Sequence, residues 1–181
     1  SPARAIHEII AAAPADTVII DEAVSSAVWI HHFFAAAPGR WYRSRGGGLG
    51  AGMPLPLGVK LARPSDSVVA IVGDGAAMYT SSALWTAAHL NVAVVWVVMN
   101  NASYRMLKLN TTAYLGSRIH GRKFVGADLT NPAIDFVAHA QSMGVPAELV
   151  EDPSSLSLAV RSAIASGGPR LIEARIKGAI D

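Results

Sequence analysis

The sequence predicts an α/β fold, a doubly wound, mostly parallel sheet with helices on both faces. Apolar runs at 17–21, 68–72 and 92–99 alternate with segments of helical character. A strand that is apolar at every residue, rather than every second one, must be covered on both faces. The composition agrees: 181 residues, 51% hydrophobic and 15% charged, suit a single domain with a sizeable core. No repeat, low-complexity tract or linker divides the chain, so residues 1–181 are expected to form one domain.

Each element has a local reason. Ser1 can cap a first helix, Pro2 suits its first position, Ile6, Ile9 and Ile10 give it an apolar face, and Pro14 ends it. Thr17 to Asp21 reads as a buried strand closed by an acid, and Ser25 to Ala37 as a helix stopped by Pro38-Gly39. Gly46 to Gly50 then leads into a small-residue helix ending near Ala62. Val68 to Val72 is the clearest buried strand and runs into Gly73-Asp74-Gly75, with a helix from Tyr79 to Leu90. Val92 to Met99 is a second β-branched strand, closed by Asn100-Asn101. Asn110 to Asn131 lacks periodicity and reads as a long loop of the kind that is usually functional or disordered. Pro132 to Met143 is expected as a helix, Ala147 to Val150 as a strand, Ser154 to Ser166 as a helix and Leu171 to Ile176 as the last strand.

Composition also excludes function classes. The net charge is +2, and the densest basic cluster, Arg118, His120, Arg122 and Lys123, reads as a solvated loop rather than a nucleic-acid footprint. There is no cysteine, which excludes disulfides and thiolate metal sites and fits a reducing, cytoplasmic setting. The longest apolar run is too short to span a bilayer. The opening Ser1-Pro2-Ala3 resembles a domain junction, with no charged-then-apolar signal ahead of it.

In an open parallel sheet, ligands bind where loops diverge beyond the carboxyl ends of strands. Two such ends stand out, Gly73-Asp74-Gly75-Ala76-Ala77 and Asn100-Asn101-Ala102-Ser103-Tyr104. Asp74 offers a hard anionic oxygen and Asn101 a neutral amide oxygen. Magnesium takes few such protein ligands and completes its octahedron with phosphate and water. Glycines beside Asp74 let backbone approach a phosphate, and amides at the following helix start add donors. Alone, each tripeptide reads as a strand-end turn. Their pairing, each after a buried strand and 27 positions apart, reads as a site for a magnesium-bridged diphosphate.

Gly73-Asp74-Gly75 followed by Asn100-Asn101 resembles the signature of thiamine diphosphate-dependent enzymes. The wording is closest to the benzoylformate decarboxylases, at 47–50, 69–75, 82–88, 99–101 and 134–136, and the resemblance covers nearly the whole chain. It implies the C-terminal diphosphate- and magnesium-binding domain of a longer enzyme. Asp74, the Asn101 side chain and the Ser103 carbonyl would hold Mg2+. Gly75 and Ala76 would offer amides to the diphosphate, Tyr79 and Ser25 hydroxyls. Leu49 would lie under the cofactor and enforce its bent shape, and the Gly47 carbonyl would accept from the pyrimidine amino group. Leu107 would line the substrate pocket. Three positions depart from the pattern: Val24 replaces a threonine, Ala76 a serine, and Arg105 a small residue.

The resemblance further implies a 2-keto acid substrate and a pyrimidine-binding domain, in the same or a partner subunit, that brings an activating glutamate. The full-length enzyme would be a homodimer or homotetramer. No catalytic residue is expected in this chain, which alone should bind cofactor without turning over substrate. An acetolactate synthase-like carboligase is the alternative, disfavoured by Leu49, since carboligases more often carry methionine there. A Rossmann-type nucleotide module is disfavoured because no Gly-x-Gly-x-x-Gly follows the first strand. The histidines at 31, 32, 89, 120 and 139 lack metal-ligand spacing, and Trp29, Trp41, Trp85 and Trp96 read as core or interface residues.

Overall fold

A computed structural model of the chain describes residues 1–44 and 46–178. Its elements in order are α1 (Pro2–Ala12), β1 (Val18–Glu22), α2 (Ala27–Phe33), β2 (Trp41–Arg43), α3 (Leu55–Ala62), β3 (Val68–Gly73), α4 (Asp74–Ala77), α5 (Ala83–Leu90), β4 (Val95–Asn100), α6 (Arg105–Leu115), α7 (Phe136–Ser142), β5 (Ala147–Val150), α8 (Leu156–Ala165) and β6 (Arg170–Arg175). Short 3-10 turns precede α2 and α8 and follow α6.

The strands form one six-stranded sheet in the order β2-β1-β3-β4-β6-β5, and every pair is parallel. Side-chain alternation splits the core into two layers. Ile19, Val69, Ile71, Val95 and Val97 pack with α1, α2 and α8, through Ile6, Ile9, Ile30, Leu156 and Val160. Ile20, Val68, Ala70, Trp96 and Val98 pack with α3, α5 and α7, through Leu57, Leu84, Ala87 and Phe136. Residues of β1 and β4 are buried throughout, as the unbroken apolar runs require. Trp96 is fully enclosed because its indole N–H donates to the Met53 carbonyl at 3.2 Å.

Several boundaries differ from expectation. α1 starts as read, with the Ser1 hydroxyl accepting from the Arg4 amide and Pro2 in the first turn. The helix expected over 25–37 is a 3-10 turn at Val24–Ser26 followed by only Ala27–Phe33. The helices expected from Tyr79 and Pro132 begin at Ala83 and Phe136, and β4 starts at Val95 instead of Val92. Three elements gave no usable signal. β2 is a three-residue edge strand, too short for a period. α4 is a single turn. α6 begins ahead of the expected loop and runs into its first residues; none of its residues is buried, and the weak helix formers Asn110, Thr111 and Thr112 lie within it.

The topology locates the binding rim. β1 has β2 on one side and β3 on the other, so the chain reverses direction across the sheet there. The segment after β1 enters α2 on one face; that after β3 enters α4 and α5 on the other. Loops diverging from adjacent parallel strands leave a crevice between them.

Candidate functional site

Asp74 is the first residue of α4 and is only 4% exposed. Its Oδ1 accepts from the Gly75 amide at 2.8 Å. Its Oδ2 accepts from the amides of Asn101 at 3.0 Å and Ser103 at 3.3 Å. One carboxylate therefore fastens the loop after β4 to the loop after β3, whose strands are in register from Val69↔Val95 to Gly73↔Met99. Burial pushes the Asp74 carboxyl above its ordinary 3.8, while backbone amides of Gly75, Ser103, Asn101 and Ala102 pull it back.

The Asn101 Oδ1 is buried and accepts no hydrogen bond from the described residues. Such an oxygen costs about 1–3 kcal/mol if left unsatisfied. Asn101 lines the same cavity as Asp74, and this oxygen fits one ligand of a hard divalent cation. The Ser103 carbonyl accepts from the Arg105 amide at 2.8 Å and keeps a second lone pair. The donor set is all oxygen with one formal charge, suited to a cation that retains water and phosphate ligands. No group of three or more His, Asp or Glu side chains is arranged for a metal among the described residues, so the histidines do not compete with this assignment.

The opposite wall comes from the segment after β1 and from the glycine-rich loop. Val24 holds φ +51°, the left-handed region that a β-branched residue rarely enters, and leads into Ser25 and Ser26. Gly47 sits at φ +75° with nothing near a hypothetical Cβ, so glycine is there for its conformation. Glu22, at the end of β1, is buried and reaches under the adjoining segment. Its Oε1 accepts from the amides of Gly50 at 3.1 Å and Ala51 at 3.0 Å, and its Oε2 from Gly52 at 2.9 Å. The Thr80 hydroxyl donates to the Gly50 carbonyl at 2.7 Å. Leu49 is thereby held at the rim, 41% exposed, which excludes the reading of an ordinary core leucine.

A cavity of about 460 Å3 lies between these walls. Ser25, Gly47, Leu49, Asp74, Gly75, Ala76, Tyr79, Asn101, Ser103 and Leu107 all line it. Tyr79 and Leu107 are well exposed along it. A larger cavity of about 780 Å3 adjoins it and shares Val24, Gly47, Leu49 and Met106. Arg105 lines the smaller cavity, and its Nε is buried without a partner among the described residues.

Two features escaped the sequence reading. Glu22 carried no motif; its only signal was a second acid closing an otherwise apolar strand. Gly75 was expected to be glycine so that phosphate could approach, and the structure adds a second reason. A Cβ there would collide with the Tyr104 ring, whose Cδ1 would be 2.8 Å away.

The family model of the thiamine pyrophosphate enzyme C-terminal TPP-binding domain matches residues 22–174. Benzoylformate decarboxylase of Pseudomonas aeruginosa is 33% identical over 95% of this chain and 31% of its own length. A Mycobacterium tuberculosis protein, IlvX, provisionally named an acetolactate synthase large subunit, is 35% identical over 88% of this chain and 32% of its own. Among solved structures, the thiamine diphosphate-dependent 4-hydroxybenzoylformate decarboxylase of Rhodococcus jostii RHA1 superposes with a TM-score of 0.86 at 32% identity. That match covers 98% of this chain and 32% of that one. The chain thus spans about a third of the length of these relatives.

Proposed function

The chain belongs to the thiamine pyrophosphate enzymes, as their C-terminal TPP-binding domain, and from that membership we propose that it grips the diphosphate of thiamine diphosphate through Mg2+ in a 2-keto acid decarboxylase of the benzoylformate type. The observation that supports the metal reading is the buried Asn101 Oδ1, without a partner among the described residues, in the cavity that Asp74 also lines. Asp74, Asn101 and the Ser103 carbonyl are the cation's protein ligands. The amides of Gly75 and Ala76 and the hydroxyls of Ser25 and Tyr79 meet the diphosphate.

When bound, the cofactor supplies the electron sink that decarboxylation of a 2-keto acid requires. The chain's own residues bind, orient and exclude water. Leu49 would support the cofactor, the Gly47 carbonyl would accept from its amino group, and Leu107 would face the substrate. A pyrimidine-binding domain, in the same or a partner subunit, completes the site and brings the activating glutamate, so turnover belongs to a dimer or tetramer of the full-length polypeptide. The relative named as an acetolactate synthase favours a second reading, a carboligase on the same cofactor. Leu49 in place of methionine weighs for the decarboxylase.

Calorimetric titration of the full-length polypeptide with thiamine diphosphate, with and without Mg2+, tests the binding reading. Magnesium-dependent binding supports it, and no binding with magnesium present overturns it. Product analysis with benzoylformate and with pyruvate then separates decarboxylase from carboligase.

A further inference from the structure

We propose that Glu173, on a strand that supplies no ligand, is a positioning residue for the divalent cation and acts through Asn100. The inference rests on the reading of Asp74, Asn101 and Ser103 as the cation's holders. Glu173 is 2% exposed, an unusual place for a carboxylate, and lies on β6 beside β4. Its Oε1 accepts from Asn100 Nδ2 at 2.8 Å and from Arg175 Nη2 at 3.1 Å.

The far end of the Asn100 amide is also engaged. Asn100 Oδ1 accepts from the Ala102 amide at 2.9 Å. A backbone N–H can only donate, so the oxygen must face Ala102 and the Nδ2 must face Glu173. Glu173, accepting from Nδ2, holds the Asn100 amide in that same orientation from its other end. Ala102 in turn holds φ +54°, a conformation alanine rarely adopts, and it lies between Asn101 and Ser103. That turn brings the Asn101 and Ser103 amides onto the Asp74 carboxylate.

The segment that follows β6 supports the same loop. The Ile176 amide donates to the Asn100 carbonyl at 2.9 Å, and a Cβ on Gly178 would collide with the Asn101 carbonyl. The order of causes is Glu173, Asn100, the Ala102 turn, and then the cation's ligands. Outer groups of this kind orient the ligating ones and govern metal affinity.

The test measures the Mg2+ concentration needed for half-maximal thiamine diphosphate binding by calorimetry, in the full-length polypeptide. Circular dichroism and metal-free melting establish that each variant is folded. Glu173→Gln keeps an oxygen for Asn100 and should stay within about threefold of wild type. Glu173→Leu leaves Asn100 Nδ2 unpaired and should raise the concentration roughly 10–100-fold. Asn100→Asp sets two buried carboxylates against each other and should impair binding. Adding Glu173→Gln to it provides a donor, reverses the polarity of the pair and should restore most of the affinity. Folded Glu173→Leu with wild-type magnesium dependence, or no recovery in the folded double variant, overturns the proposal. Failure of the wild type to bind cofactor with magnesium overturns instead the site reading beneath it.

Discussion

Glu22 and Gly52 are in contact at the limit of what the backbone allows. The Gly52 amide donates to Glu22 Oε2 at 2.9 Å, and a Cβ on Gly52 would lie 2.8 Å from both Oε2 and Cβ of Glu22. Val72 Cγ2 would be 3.0 Å away on the other side. The carboxylate can bind three successive amides because residue 52 has no side chain. Gly52→Ala should therefore cost about 1–3 kcal/mol by overpacking, read as a lower denaturation midpoint. Unchanged stability would mean that the Glu22 clamp yields easily and does not fix the Leu49 loop.

Gly75 and Tyr104 form a second such pair across the β3 and β4 loops. Gly75→Ala should lower stability by about 1–3 kcal/mol. In a Tyr104→Ala background the same change should cost clearly less, a non-additivity of roughly 0.5–3 kcal/mol. Additive costs in a denaturation cycle would show that the ring is not the obstacle.

Val24 holds a strained backbone where the cavities meet. The left-handed conformation costs a β-branched residue roughly 1–3 kcal/mol. Glycine relieves it but loses about 0.5–1 kcal/mol through its freer unfolded chain. Val24→Gly should then stabilise the protein by up to about 2.5 kcal/mol. A lower melting temperature for this variant would refute the strain.

Asp74 predicts a pH dependence that reverses with ligand. Its carboxyl is raised above 3.8 by burial, so it holds its proton more tightly folded than unfolded. Its contribution to stability is present below 3.8 and is lost as pH rises through the raised value. Buried Asp21 is raised in the same direction by its own burial, against the Ala23 amide, Arg43 and His31. In chelator, wild type should lose stability relative to Asp74→Asn as pH increases through this window. With magnesium and thiamine diphosphate, the cation favours the ionised carboxylate, and the ligand-induced rise in Tm should grow with pH. A pH-independent rise would separate Asp74 from the metal.

Residue pattern alone determined the parallel α/β class, because strands buried on both faces must be apolar throughout, as at 68–72 and 95–99. It also marked Asp74 and Asn101, since polar residues ending such strands stand out against their surroundings. What it could not contain were relations between residues distant in the chain. Glu22 meets 50–52, Tyr104 covers Gly75, and Glu173 reaches Asn100 from 73 positions away. α6 was missed because Asn110, Thr111 and Thr112 inside it are weak helix formers and none of its residues reaches the core, and β2 because three edge residues cannot show a period. Hydrophobic periodicity records only whether a residue faces the core. Which buried carboxylate meets which amide was decided when the strand order β2-β1-β3-β4-β6-β5 brought their ends to one rim.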